Sequence, residues 1–221
     1  MPLSLMIKPA SGACNLRCAY CFYCDEMENR GTASYGFMSR ETMEVLIRKA
    51  LQQAEGSCTF GFQGGEPTLW GLEYFQEFVE CVKRQKRDDL EIFYFIQTNG
   101  YTLDDRWARF FQENRFLVGV SLDGTIHTHD RWRKNIRGVM EGIDSLNRYQ
   151  VPFNVLTVVT GDVARTADKV YRFLRKQGFD HLQFIPCMDP LGGKEKSAYS
   201  LSGEEYGDFL CRIFDLWYDE L

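Results

Sequence analysis

A chain of 221 residues can bury a sizeable core, and one large α/β domain is the expectation. Hydrophobic residues make up 44%, charged residues 26%, and the net charge is −5, so nothing provides the basic face that nonspecific nucleic-acid binding requires. No apolar run reaches the roughly 18 residues of a membrane span, and Met1-Pro2-Leu3-Ser4-Leu5 lacks the basic start and apolar length of a signal peptide, so the cytoplasm is expected.

Leu3–Lys8 reads as a first strand and Ala10–Glu28 as an irregular loop. Ser39 caps a helix running to about Ala54, with Met43, Leu46, Ile47 and Leu51 on one face. Cys58–Gln63 is a second strand, stopped by Gly64-Gly65-Glu66-Pro67, and Leu72–Arg87 a helix with Phe75, Phe78, Val79 and Val82 inward. Leu90–Gln97 is a third strand, followed by the helix Asp104–Glu113. Phe116–Leu122 is a fourth strand, then come a polar loop and the helix Arg137–Tyr149. Phe153–Val159 is near-continuously apolar, as strands buried on both faces are. The helix Val163–Gln177 and the strand His181–Ile185 follow, and Gly192–Lys196 joins that strand to the last helix, Glu204–Glu220. That helix spaces Tyr206, Phe209, Leu210, Ile213, Phe214 and Trp217 for a single apolar stripe. Strict strand–helix alternation implies parallel strands and right-handed crossovers, in an open sheet or a partial barrel. Ligands then belong at the C-terminal strand ends. The polar and glycine-rich motifs fall there: the cysteine loop, Gln63–Pro67, Gln97–Gly100, Ser121–Gly124 and Pro186–Asp189.

Four of the eight cysteines, Cys14, Cys18, Cys21 and Cys24, lie close together, which in a reducing compartment points to metal binding or redox chemistry. Cys58, Cys81 and Cys211 read as small buried apolar side chains, and Cys187 either as another or as a lining of the ligand cavity. A cubane [4Fe–4S] cluster wants four thiolates. Cys14, Cys18 and Cys21 offer three from one loop, which would leave one iron open to an exogenous ligand. Three alternatives stand beside this reading. Cys18-x2-Cys21-x2-Cys24 resembles the start of a bacterial ferredoxin run, but Glu28-Asn29 stands where its next Cys-Pro belongs. The four thiols could bind zinc, although such sites usually draw on two separated pairs. The loop could also carry reduced thiols with no ligand. Cys24 is read as a thiol on the cavity rim rather than a ligand.

Cys14-x3-Cys18-x2-Cys21 after a first strand, with Tyr20 before the last cysteine and Gly64-Gly65-Glu66-Pro67 after the second strand, resembles the signature of the radical S-adenosylmethionine (SAM) superfamily. The resemblance implies a partial (βα)6 TIM-like barrel of the radical SAM type. It also implies a cluster whose open iron chelates the amino and carboxylate groups of SAM, and cleavage to a 5′-deoxyadenosyl radical. Ile7-Lys8-Pro9, Cys21-Phe22-Tyr23, Phe62–Leu69, Gln97–Gly100, Val120–Gly124 and Leu182–Pro186 are similar to anaerobic sulfatase-maturating enzymes of the SPASM type. Those oxidise a cysteine or serine of a sulfatase polypeptide to formylglycine, with a reductant such as flavodoxin or ferredoxin. Related peptide-modifying radical enzymes, such as thioether-forming ones, and a non-enzymatic iron–sulfur or zinc module are the other readings.

By that resemblance, Cys14, Cys18 and Cys21 bind the cluster. The backbone of Gly64, Gly65 and Glu66 holds SAM's amino group, and the Tyr20 carbonyl meets the adenine. Ser121 suits a ribose hydroxyl or the carboxylate, Arg133 the carboxylate, and Met188 the adenine. Arg131 competes with Arg133 for that role, and a guanidinium fork suits a carboxylate in either case. Tyr23 and Gln63 face the substrate peptide. His127 and His129, beside Asp130, read as a solvated loop. Full-length relatives continue into a cysteine-rich region with auxiliary clusters and the family's general base. The expectation is therefore a radical SAM core over residues 1–221 without that region, and no general base is assigned within it.

Overall fold

The computed structural model describes residues 1–191 and 196–220. Most of the expected connector Gly192–Lys196 therefore lies outside the described residues. Six parallel strands form one sheet in chain order: β1 (Leu3–Ile7), β2 (Ser57–Phe62), β3 (Glu91–Thr98), β4 (Phe116–Ser121), β5 (Phe153–Val159) and β6 (Leu182–Pro186). The sheet curls into a half-barrel with helices outside, the partial (βα)6 barrel expected. Its helices are α1 (Phe22–Asn29), α2 (Arg40–Gln53), α3 (Leu72–Gln85), α4 (Asp105–Glu113), α5 (Ile126–Trp132), α6 (Ile136–Arg148), α7 (Gly161–Ala164), α8 (Ala167–Lys176) and α9 (Gly203–Tyr218).

The two-residue period of the strands divides the sheet. Alternate residues Cys58, Phe60 and Phe62 of β2, and Phe116, Val118 and Val120 of β4, are fully buried against the outer helices. The main core is aromatic there: Phe62 contacts Phe75, Phe78 and Phe116, and Phe75 meets Trp70 and Trp107 edge-on. Such edge-to-face pairs match the positive rim of one ring to the negative face of another. The other parity faces the concavity. On this face Met6, Phe93 and Leu117 are exposed. Gly61 has no side chain because the Phe95 ring fills the space its Cβ would take.

Three expectations need correction. The loop Ala10–Glu28 is irregular only in its first half, because α1 begins at Phe22 with Cys21 as its N-cap. The polar loop before α6 holds α5, capped by Thr125, whose side chain accepts from Thr128 N–H. The predicted helix Val163–Gln177 is two helices broken at Arg165-Thr166, because Thr160 caps an earlier start and the Thr166 hydroxyl bonds the Asp162 carbonyl. Further, α9 buries only Phe209 fully, which packs edge-on against Phe184 of β6; Leu210, Phe214 and Trp217 are exposed, as is Cys211. No helix among the described residues is long and apolar enough to cross a membrane.

Candidate active site

The C-terminal strand ends surround a cavity of about 360 Å³, and the lining holds all the expected ligand-binding residues. Cys14, Cys18 and Cys21 line it on one side. Tyr20, Gly64, Gly65, Glu66, Ser121, Arg133 and Met188 share it, as do Tyr23 and Gln63.

Short backbone bonds shape the thiol loop: Ala13 N–H donates to the Ala10 carbonyl at 2.9 Å and Cys21 N–H to the Cys18 carbonyl at 3.1 Å. Leu16 N–H points at Cys14 Sγ at 3.4 Å, and Asn99 Nδ2 approaches the same sulfur at 3.8 Å. Burial raises the Cys14 thiol above its ordinary pKa. Burial also raises Cys18 to about 11, with Arg133 pulling the other way. Both thiols are therefore protonated at neutral pH, and loading a metal must release protons.

The glycine-rich loop packs directly on the thiol loop. Glu66 N–H donates to the Ala13 carbonyl at 2.8 Å. Gly65 has φ +57°, and a Cβ there would collide with that carbonyl oxygen. Glycine is required twice over, by the dihedral and by the approach. The Glu66 side chain is fully buried and accepts from Thr68 N–H at 3.0 Å, Thr68 Oγ1 at 2.7 Å, Thr98 Oγ1 at 2.7 Å and Asn99 N–H at 2.8 Å. Its burial still leaves the pKa above the ordinary value. The carboxylate ties β2 to β3, so the backbone of Gly64–Glu66 is what remains for a ligand.

Opposite lies a polar group whose centre, Asp123, sequence reasoning missed. Asp123 is 1% exposed and follows β4. Its Oδ2 accepts from the Tyr20 hydroxyl and from Arg133 Nε at 3.2 Å, and its Oδ1 accepts from Val158 N–H at 3.0 Å. Asp123-Gly124 reads as a simple strand-ending turn. The signal available was the proximity of Arg133 on the next helix, a basic partner for a carboxylate at a strand end. The two candidate arginines are placed differently. Arg131 turns outward to Asp162 at 2.8 Å and stacks on Trp132, whereas Arg133 is buried and borders the cavity. Burial works against the charge on Arg133, but facing Asp123 more than offsets this and raises its pKa well above the usual value.

Several expectations fall outside the cavity wall. His129 is not solvated: it is fully buried, its Nδ1 accepting from Asp123 N–H at 3.2 Å and its Nε2 3.1 Å from the Lys134 carbonyl. These partners assign the proton to Nε2. His127 is exposed. Cys24 lies on α1 behind Cys21 and does not line the cavity, and Cys187 is buried with Tyr20 and Val158 in a small apolar cluster. Ser121 accepts from Gln97 Nε2 at 3.1 Å, so one polar pair spans β3 and β4 at the cavity floor.

The radical SAM superfamily model matches residues 9–174, and the chain belongs to that superfamily. It is similar to the cysteine-type anaerobic sulfatase-maturating enzyme of Clostridium novyi (strain NT), with 48% identity over 99% of this chain and 60% of that enzyme. The cysteine-type enzyme of Clostridium perfringens (strain 13 / Type A) is 45% identical over 99% of this chain and 61% of its own length. The serine-type enzyme of Bacteroides thetaiotaomicron is 34% identical over 99% and 58%. Among solved structures, native anSMEcpe with bound AdoMet and the Kp18Cys peptide superposes with a TM-score of 0.92 at 43% identity, covering 100% of this chain and 61% of that one. The chain thus spans about three-fifths of the length of the curated relatives it matches.

The residues present fit the cofactors characteristic of that superfamily. Three free thiols share one cavity wall, as a cluster with one uncommitted iron requires. Among the described residues no three His, Cys, Asp or Glu side chains converge closely enough to grip a single ion. A cubane presents its irons at separate corners, so its thiols need not converge. The cavity lies within the roughly 300–1,000 Å³ of small-ligand sites. Among the described residues the two Nη nitrogens of Arg133 have no hydrogen-bond partner, and they are free for an anion.

Proposed function

We propose that this chain is the radical-generating core, residues 1–221, of a cysteine-type anaerobic sulfatase-maturating enzyme. It would oxidise a cysteine of a sulfatase polypeptide to formylglycine in the cytoplasm, fed by a flavodoxin or ferredoxin. One observation carries this reading: the thiol loop and the complete set of expected SAM contacts line one cavity in a chain 45–48% identical to cysteine-type enzymes. The serine-type relatives stand further off, at 33–34%, which supports cysteine as the target. The C-terminal region that extends the relatives would supply the auxiliary clusters and the general base.

Bound together, a [4Fe–4S] cluster and SAM supply one-electron cleavage of the sulfonium and a 5′-deoxyadenosyl radical. The chain's own residues bind, orient and exclude water. Cys14, Cys18 and Cys21 hold three irons. The backbone of Gly64–Glu66 receives the SAM ammonium, and the Arg133 fork, with Ser121, receives the carboxylate. Tyr20 and Met188 flank the adenine. Leu156, Val158 and Ile185 supply an apolar wall, and Tyr23 and Gln63 border the side open to a peptide.

Anaerobic reconstitution with iron and sulfide, followed by dithionite and SAM, is expected to yield 5′-deoxyadenosine. A Cys14/Cys18/Cys21→Ala variant is expected to yield none, and continued production by it sinks the reading. Incubation of the protein carried through such a C-terminal region with a sulfatase peptide bearing the target cysteine should generate an aldehyde that a hydrazide traps. A thioether product instead would move the enzyme to a different peptide-modifying class.

A further inference from the structure

The cavity wall opposite the glycine-rich loop is organised by a carboxylate that does not itself line the cavity. Asp123 is buried beneath Arg133, and its two oxygens take three donors from three separate places. Tyr20 comes from the thiol loop, Arg133 from the end of α5, and Val158 from β5. A fourth contact comes from behind, where Asp123 N–H donates to His129 Nδ1. Arg133 stacks its guanidinium over the Tyr20 ring at 5.7 Å, so the phenol and the cation it neighbours are held by the same side chain. Ala19 N–H donates to the Trp132 carbonyl at 2.9 Å, closing the loop against α5 a second time. A buried guanidinium bound through Nε alone keeps its two Nη groups as a preset fork, and the rotamer is fixed by the carboxylate behind it.

We propose that Asp123 is a positioning residue of the site: it aims the Arg133 fork at the ligand carboxylate and, through the Tyr20 hydroxyl, anchors the thiol loop to the same point. The inference rests on the cavity being the SAM site and is independent of which substrate is oxidised. Asparagine is the apt replacement, being isosteric and uncharged. Its single carbonyl can keep Val158 N–H, which sets the NH2 against Arg133 Nε, or keep Tyr20 and Arg133 Nε, which sets the NH2 against Val158 N–H; in either orientation the fork loses the negative charge that braces it. Removing the side chain outright would leave a buried unpaired guanidinium and threaten the fold.

The test compares two ligands on anaerobically reconstituted protein of matched iron content. SAM carries the carboxylate; 5′-methylthioadenosine keeps the adenosine and sulfur and lacks the amino-acid end. Asp123→Asn is expected to weaken SAM binding by ~10–100-fold, the range for outer-shell partners, and to leave methylthioadenosine affinity unchanged. Unchanged SAM affinity, or equal loss for both ligands, overturns the proposal. Tyr20→Phe provides a second arm that keeps Arg133 in place. In iron-free Tyr20→Phe protein, alkylation of Cys18 by iodoacetamide should accelerate while the preference for SAM over methylthioadenosine persists. No acceleration overturns the anchoring role. SAM binding by the wild type, with no aldehyde formed on a sulfatase peptide by the protein carried through such a C-terminal region, would count against the proposed function and leave this inference standing.

Discussion

Gly65 illustrates how tightly single residues are specified. Any β-carbon there must displace the Ala13 carbonyl, and that carbonyl is already the acceptor for Glu66 N–H. Gly65→Ala therefore combines a left-handed dihedral with a backbone collision, and should cost more than about 1 kcal/mol. A lowered thermal midpoint with reduced iron retention is the expected outcome. His129 makes a prediction of the opposite kind, about protons. Burial holds its pKa below the ordinary value, so the folded chain keeps it neutral. The unfolded chain protonates near pH ~6.5. Its contribution to stability is complete above that pH and is lost as the pH falls towards the lowered folded value. Thermal midpoints recorded from neutral to mildly acidic pH should decline, and His129→Gln should flatten that decline. A variant that keeps the full slope would place the proton uptake elsewhere.

At the scale of elements, the strands were legible because their signals are local and strong. Runs such as Phe153–Val159 and Phe116–Ser121 are apolar and are stopped by polar residues or glycine. The two missed helices lack such a signal. Helix α1 buries none of its residues, and α5 buries only Thr128 and His129. Helix α5 is held by its Thr125 cap and α1 has no side-chain cap, and no apolar stripe betrays either. Helix α9 errs in the other direction: its stripe is present in the sequence, but the sheet offers it only Phe184 and its surroundings. The remainder forms an exposed face of Leu210, Phe214, Trp217 and Tyr218. A Phe214→Glu/Trp217→Glu pair should therefore change stability by no more than ~0.5 kcal/mol per site, as exposed positions do. It should also reduce binding of a hydrophobic dye. A large loss of stability would mean that this face is covered within the fold.

For the whole molecule, the site was legible in outline because strand ends in an α/β sheet converge, and the motifs could be placed there before any contact was known. Cys14, Cys18, Cys21 and the glycine-rich loop need only their spacing. The clamp around Asp123 was hidden because its partners are distant in the chain: Tyr20 lies 103 residues away, and Arg133 and Val158 stand on different elements. A charged residue beside a glycine gives no local sign that a phenol will be brought to it.

Sheet order and chain order are the same, which bears on how the protein is made. Each strand can add to the edge left by its predecessor, so the half-barrel can grow as the chain leaves the ribosome. At roughly 10 residues per second, Arg133 emerges on the order of ten seconds after Cys21. Through that interval the three thiols are already outside, anchored at best to the Glu66 and Asn99 side and without their second brace. Chains stalled on the ribosome after β3 should accordingly surrender iron to a chelator faster than chains stalled after α6. Equal retention would show that the first three strands suffice. The thiol loop is thus most exposed to oxygen during the chain's own synthesis.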